Sequence, residues 1–252
     1  LLPPEYGISG EGVADGPWAA RTAVRRNIKY GADLIKTCST GGVLSKGTKV
    51  GAPQYTVEEL TALVDEAHSR GLKVASHAHG AQGIINALHA GADTIEHASF
   101  IDEEGIRLAI ANNAALSMDI YVTEYILGEG AGAGILEESL EKERMTGSTQ
   151  RANFRKAVEA GATIVYGTDA GVYPHGQNAK QFSRMVRFGM TPLQAIQSAT
   201  VTAADVMGLG YELGKIEAGY AADFVAVKGN PLDTIELLEG PSYVIKDGVR
   251  MR

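Results

Sequence analysis

The chain has 252 residues, 44% of them hydrophobic, which is enough to bury a sizeable core in one large domain or two modest ones. Its formal net charge of −7, with no basic run and no basic–aromatic stripe, argues against nucleic acid as a partner. No run of about 18 apolar residues is present to span a membrane, and the single cysteine, Cys38, excludes an intrachain disulfide and suits a reducing, cytoplasmic setting.

The opening stretch, "LLPPEYGISGEGVADG", is loop-like and lacks a starting methionine, so the expectation is that it is the middle of something longer. A repeated unit follows. "WAARTAVRRNIKYGADLIKTCST" is a helical stretch, then Gly31, then a short β-like run ending at Lys36. "VEELTALVDEAHSRGLKVASHAHG" repeats it with Gly71 and ends at His77, and "AQGIINALHAGADTIEHASF" with Gly91 and ends at His97. "DEEGIRLAIANNAALSMDIYV" puts Asn112-Asn113 in place of the glycine and runs on to Tyr121. "STQRANFRKAVEAGATIVYGTDAG" uses Gly161 and ends at Asp169.

In each unit, apolar residues at helical spacing, such as Leu60, Leu63, Val64 and Ala67, make one buried helix face. Glycine or asparagine then stops the helix in a left-handed conformation. The short apolar run beyond it suits a parallel strand covered on both faces. Helices alternating with such strands predict a parallel α/β sheet. The distances from helix stop to reactive residue are 36 − 31 = 5, 77 − 71 = 6, 97 − 91 = 6 and 169 − 161 = 8. Each candidate therefore sits at the carboxyl end of its strand, and in a closed barrel those ends share one mouth.

Beyond the units, "TPLQAIQSATVTAADVMGL" reads as one helix opened by Thr191 as N-cap and Pro192 at the first position. From about residue 211, "DFVAV" and "SYVIKDGVRM" read as strands, the latter a hairpin about Asp247-Gly248. The domain reading is thus 1–210 for the sheet-and-helix body and 211–252 for a small β appendage.

His77, His97 and Asp169 offer imidazole and carboxylate ligands from three strands, a set that zinc-like ions accept. Each has a plainer reading: Asp169 as a turn cap, His97 as a core histidine tied to Glu96. His68 and His89 lie inside helical runs and read as surface or packing residues. Lys36 ends an otherwise apolar strand, where an ammonium needs an anion or a lost charge. Reaction with carbon dioxide would give an anionic, bidentate carbamate; snorkelling to water is the alternative.

"LIKTCST", "VASHAHG", "DTIEHASF", "YGTDAGVYPHGQN" and "LGKIEAGYAADFVAV", in this order, resemble the amidohydrolase superfamily. The resemblance is to its metal-dependent Xaa-Pro dipeptidase (prolidase) and carboxypeptidase branch, near imidazolonepropionase-like proteins. It implies a (β/α)8 TIM-barrel with a small flanking β-sandwich domain, and one or two divalent ions, zinc foremost. It implies Lys36, carboxylated, with His77, His97 and Asp169 as metal ligands, and Asp169 as the catalytic proton shuttle. It places His79, Tyr121 at the seventh-strand end, Tyr173 and His175 against substrate, with an exchange of His77 and His79 left open. The implied substrate is a small molecule, a dipeptide of Xaa-Pro type or an N-acyl amino acid, and a homo-oligomer is expected. A cyclic-amide hydrolase or deaminase on the same scaffold is the alternative, and a catalytically incomplete piece that binds only metal or a partner chain is a third.

The family carries an H-x-H pair on its first strand, and nothing before Lys36 contains one. The sequence supplies five strands, read as strands four to eight of eight. The expectation is that the biological protein is longer, or that another chain supplies the rest.

Overall fold

A computed structural model describes residues 12–251; the loop-like opening at 1–11 lies outside the described residues. The chain begins with α1 (Pro17–Lys29) and β1 (Leu34–Cys38), then α2 (Val57–His68) and β2 (Lys73–Ala78), α3 (Ala81–Ala90) and β3 (Thr94–His97), and α4 (Glu103–Ala111) and β4 (Ala115–Ser117). Two helices, α5 (Val122–Gly128) and the long α6 (Glu137–Glu159), precede β5 (Ile164–Val165). The five strands form one parallel sheet in sequential order, β1-β2-β3-β4-β5. This is the latter part of the expected barrel, with β1 and β5 at its two edges among the described residues.

The helix stops behave as the sequence predicts. Gly31, Gly71, Gly91 and Gly161 all have φ between 72° and 92°, and Asn113 takes the same left-handed region at 54°. Asparagine is among the few side chains that tolerate that region, which is why it can replace glycine in the fourth unit. Helix α2 opens on a capping box, with the Thr56 hydroxyl accepting from Glu59 N and the Glu59 carboxylate accepting from Thr56 N. Its predicted apolar face, Leu60, Leu63, Val64 and Ala67, is buried. That face packs with Ile35, Val74, Ile95 and Leu116, so the core lies between the sheet and its helices. Registers are tight: Ser76, Ile95, Leu116 and Ile164 lie side by side in one row across four strands.

Beyond β5 come α7 (Lys180–Arg187), α8 (Pro192–Ser198), α9 (Val201–Met207), β6 (Phe224–Ala226), a 3₁₀ helix (Ile235–Glu239), β7 (Tyr243–Lys246) and β8 (Val249–Arg250). Strands β6, β7 and β8 make a separate antiparallel sheet. Its hairpin turns at Asp247 and Gly248, both with positive φ, as a type I′ turn requires. The 3₁₀ helix ties this region to α7 through a Ser183–Glu239 hydrogen bond of 2.9 Å.

Four expectations need correction. Strand β1 runs on to Cys38 rather than stopping at Lys36. The fourth unit's strand ends at Ser117, so Tyr121 is not at a strand end but caps α5, where Gln181 Oε1 accepts from its backbone N–H. Strand β5 has two residues, so Asp169 lies in the loop four residues past it. The single helix expected from Pro192 is two, because the chain breaks at Thr200 (φ −125°, ψ −100°) while Thr191 and Gln194 form the expected cap at its start. Among the described residues, no helix is long and apolar enough to cross a membrane.

Candidate functional site

Loop 39–54 crosses the carboxyl end of the sheet and gives the site its floor. It is pinned to β2 by a Ser39–Ser76 hydroxyl pair at 2.7 Å and by His79 N–H donating to Thr40 Oγ1 at 2.9 Å. The approach is so close that a Cβ on Gly80 would lie 2.1 Å from the Gly51 carbonyl oxygen. A Cβ on Gly42 would press on the His77 ring at 3.1 Å. Gly80 is thus required by contact with backbone, while a side chain at Gly42 would need the His77 ring to give by a few tenths of an ångström.

Above this floor, His77, His79 and His97 cluster. Their ring centroids lie 4.5–4.8 Å apart, and His79 stacks on His97. One ring nitrogen from each lies within 4.8 Å of the others, and His97, Asp119 and Asp169 meet the same limit. His97 is common to both groups. The cavity they line, of about 220 Å³, also takes in Lys36, Cys38 and Glu143.

The site is held by hydrogen bonds, which impose a strained backbone on part of it. His97 Nδ1 lies 3.0 Å from Asp119 Oδ1, and Gln150 Nε2 donates both to that oxygen and to the His97 carbonyl. His79 Nδ1 pairs with Ser99 Oγ at 2.8 Å. His97, Ala98 and Asp169 have φ of 67°, 45° and 49°, a left-handed backbone that non-glycine residues rarely take and that clusters at functional positions.

Electrostatics sorts these groups. Burial drives the His77 pKa from 6.5 down to about 3, with the neighbouring His97 and Lys36 charges adding to it. Burial likewise pushes His79 well below its ordinary value. Both are therefore neutral imidazoles at pH 7, the form that ligates metal. Burial opposes charge on His97 too, but the Asp119 carboxylate outweighs it and raises the His97 pKa. Asp119 is correspondingly lowered, since His97 overcomes the cost of its burial. Burial and then the like charge of Asp119 raise Asp169, which stands at the exposed mouth.

The structure brings Lys36, His77, His79, His97 and Asp169 to one cavity. Lys36 is exposed, on a strand that pairs on one side only among the described residues. The plainer account of His97, as a core histidine tied to Glu96, does not hold: Glu96 bonds Thr94 Oγ1, and Asp119 holds His97. His68 and His89 are exposed, as expected, with His68 paired to Asp93 at 2.8 Å. Tyr121 and Tyr173 do not line the cavity. They pack edge to face with each other at 5.1 Å, next in the chain to the lining residues Val122 and Val172. His175 is exposed on the following loop and also lies outside the lining. Sequence reasoning missed Asp119, Glu143 and Gln150.

A sequence model of the amidohydrolase family matches residues 3–251. Ochratoxinase of Aspergillus niger is 35% identical over 249 residues, which are 97% of this chain and 51% of that protein. The crystal structure of a Xaa-Pro dipeptidase with bound methionine in the active site superposes with a TM-score of 0.92 at 42% identity, over 97% of this chain and 61% of that one. A prolidase complexed with N-methylphosphonate-L-proline superposes with a TM-score of 0.89 at 30% identity, over 95% of this chain and 59% of that one. The chain thus spans about half the length of the curated relative it matches.

Proposed function

The chain belongs to the amidohydrolase family, and on that premise we propose that it carries the metal-holding and proton-moving part of a hydrolase. The reaction is cleavage by water of an amide bond in a dipeptide of Xaa-Pro type or an N-acyl amino acid. The observation that carries this reading is the meeting of His77, His97, Asp119 and Asp169 in one cavity at the carboxyl ends of parallel strands. Mixed imidazole and carboxylate donors fit a divalent ion, with zinc the first candidate.

In this reading His77, His97 and Asp169 hold the ion, and Lys36 joins them as its carbamate, admitting one ion or two. When bound, the ion acts as a Lewis acid toward the scissile carbonyl and lowers the pKa of water toward about 7. The chain's own residues do the rest. Asp169 takes the proton of the attacking water and passes it to the leaving nitrogen, as general base and then general acid. Asp119 fixes the His97 ring by its 3.0 Å contact to Nδ1, leaving Nε2 as the ligating atom. His79, held by Ser99, faces substrate. Tyr121 is the residue the family resemblance assigns to the substrate carboxylate; with Tyr173 and His175 it lies outside the cavity lining, so a substrate would meet them only beyond it.

The test is to load the chain with zinc and assay release of free amino acid from Xaa-Pro dipeptides, other dipeptides and N-acyl amino acids, and ring opening of cyclic amides. Turnover of the first three classes, abolished in His97→Asn, supports the reading. Turnover of cyclic amides alone favours the related ring-opening activity instead. Tight zinc binding with no turnover would mean that this chain holds the metal without completing the reaction.

A further inference from the structure

Helix α6 buries an unusual face. Ser139, Glu143, Thr146, Gly147, Gln150 and Asn153 follow one another at helical spacing, and all are buried. Such a face is normally apolar. Most of these groups have local work: Gln150 serves His97 and Asp119, Asn153 donates to the Ser99 carbonyl, and Thr146 donates to the Lys142 carbonyl. Glu143 is different. It is 3% exposed and lines the histidine cavity; the Thr123 hydroxyl and the Arg151 charge act on it, but among the described residues no lysine or arginine forms an ion pair with it.

The carboxyl group has a made place. A Cβ on Gly147 would fall 2.9 Å from Glu143 Oε1 and 2.3 Å from Thr123 Cγ2, so the absent side chain is what gives both groups room. Burial raises the Glu143 pKa to about 7, against the opposing pull of the Thr123 hydroxyl and the Arg151 charge, and a cation entering the cavity would favour its ionised form. Within the cavity lining only Lys36 is a lysine, and it stands on the edge strand. A cationic group within the cavity would have to come from the ligand, since no arginine and no other lysine lines it.

Resting on the hydrolase reading above, we infer that Glu143 binds the free amino group of a dipeptide substrate. The bond geometry of a dipeptide supports this end rather than the other. Its α-amine is two bonds from the scissile carbonyl carbon, so its partner must share the small cavity with the groups that act on that carbonyl. The C-terminal carboxylate is farther away and carries the wrong sign. Asp119 is occupied with His97 and Gln150, and Asp169 with proton transfer, which leaves Glu143 for the amine. The site then prefers dipeptides to N-acyl amino acids, because an acyl substrate leaves this carboxylate desolvated with no partner.

The test uses pairs that differ only in the amine: L-alanyl-L-proline against N-propionyl-L-proline, and the same pairs with methionine and phenylalanine. Binding to the zinc-loaded chain is read by calorimetry, and turnover separately. The native chain is expected to bind the amine members at least about tenfold more tightly, as a hydrogen bond to a charged group implies. In Glu143→Gln that ratio should fall to near unity, with zinc affinity unchanged and with binding of the propionyl members unchanged or improved. Equal binding of both members by the native chain overturns the inference whether or not they are hydrolysed, and needs no variant to fold. Binding of neither member overturns it as well. A retained amine preference without turnover supports it while the hydrolase reading fails.

Discussion

The ends of β3 and β1 offer the site two candidate ligands of very different firmness. His97, at the end of β3, has its ring held by Asp119, its carbonyl held by Gln150 and its backbone in a left-handed conformation. Lys36, on β1, is exposed, and so are Leu34 and Cys38 on the same strand face. The difference comes from place in the sheet. Strand β3 is paired on both sides and α6 lies over its end, whereas β1 is paired only with β2 among the described residues.

The strongest way to break that contrast is to remove Asp119. Asp119→Ala leaves the half-buried His97 without its buried carboxylate, and breaking a buried pair from one side costs up to about 3–5 kcal/mol. Urea unfolding of the metal-free chain should show that loss. The gentler Asp119→Asn keeps the shape, and zinc affinity should then fall by roughly 10–100-fold, as found when the partner of a ligating histidine is altered. Unchanged zinc affinity in a folded Asp119→Asn protein would mean that His97 is not held for metal.

Acid separates the histidines of the cluster. The folded-state pKa of His77 is lowered from 6.5 to about 3, so its contribution to stability is complete above pH 6.5 and is lost as pH falls from there toward 3. His97 runs the other way: its pKa is raised, so its contribution is present below 6.5 and is lost as pH rises through the raised value. Metal-free protein should therefore lose up to about 1.4 kcal/mol per pH unit on account of His77 over that acid window. His77→Asn should flatten this limb of the stability profile, measured by urea midpoints at successive pH values. An identical acid limb in the variant would show that His77 is not buried as a neutral ring.

The same contrast explains what could be read in the sequence. The repeated helix, stop and strand units were legible because each depends on local chemistry: an apolar helix face, then a residue that accepts positive φ. His77 and His97 were legible because they close such units. Asp119 was missed, although 119 − 113 = 6 repeats the offset of His77 from Gly71 and of His97 from Gly91. The apolar run past it drew attention to Tyr121, which the structure places on a helix cap. Glu143 and Gln150 had no such cue. They reach the site from a helix that is polar on its buried face, and only the tertiary fold shows that this face meets a cavity. The exposure of Lys36 is the alternative the sequence left open, a lysine reaching water from the first of the five strands.

Gln150 tests the covering helix with a smaller expected effect. Gln150→Ala removes a donor shared by the His97 carbonyl and Asp119, leaving buried acceptors unmet at a cost of about 1–3 kcal/mol. If α6 is what fixes the β3 end, zinc affinity should fall along with the urea midpoint. A loss of stability alone would confine Gln150 to packing.

The smallest effect on stability is expected at Lys36, and it is informative for that reason. An exposed side chain away from caps and buried pairs is ordinarily worth no more than about 0.5 kcal/mol, so Lys36→Ala should leave the urea midpoint nearly unmoved. Its effect on metal should be out of proportion. If the amine reacts with carbon dioxide to give a ligating carbamate, isotope-labelled bicarbonate should produce a carbamate resonance in the zinc-loaded native chain that is absent from Lys36→Ala, and zinc affinity should drop in the variant. A native chain that binds zinc equally well with and without bicarbonate, and with Lys36→Ala indistinguishable from it, would leave the β3 side holding the metal by itself. The asymmetry between the two strand ends would then extend from structure to chemistry.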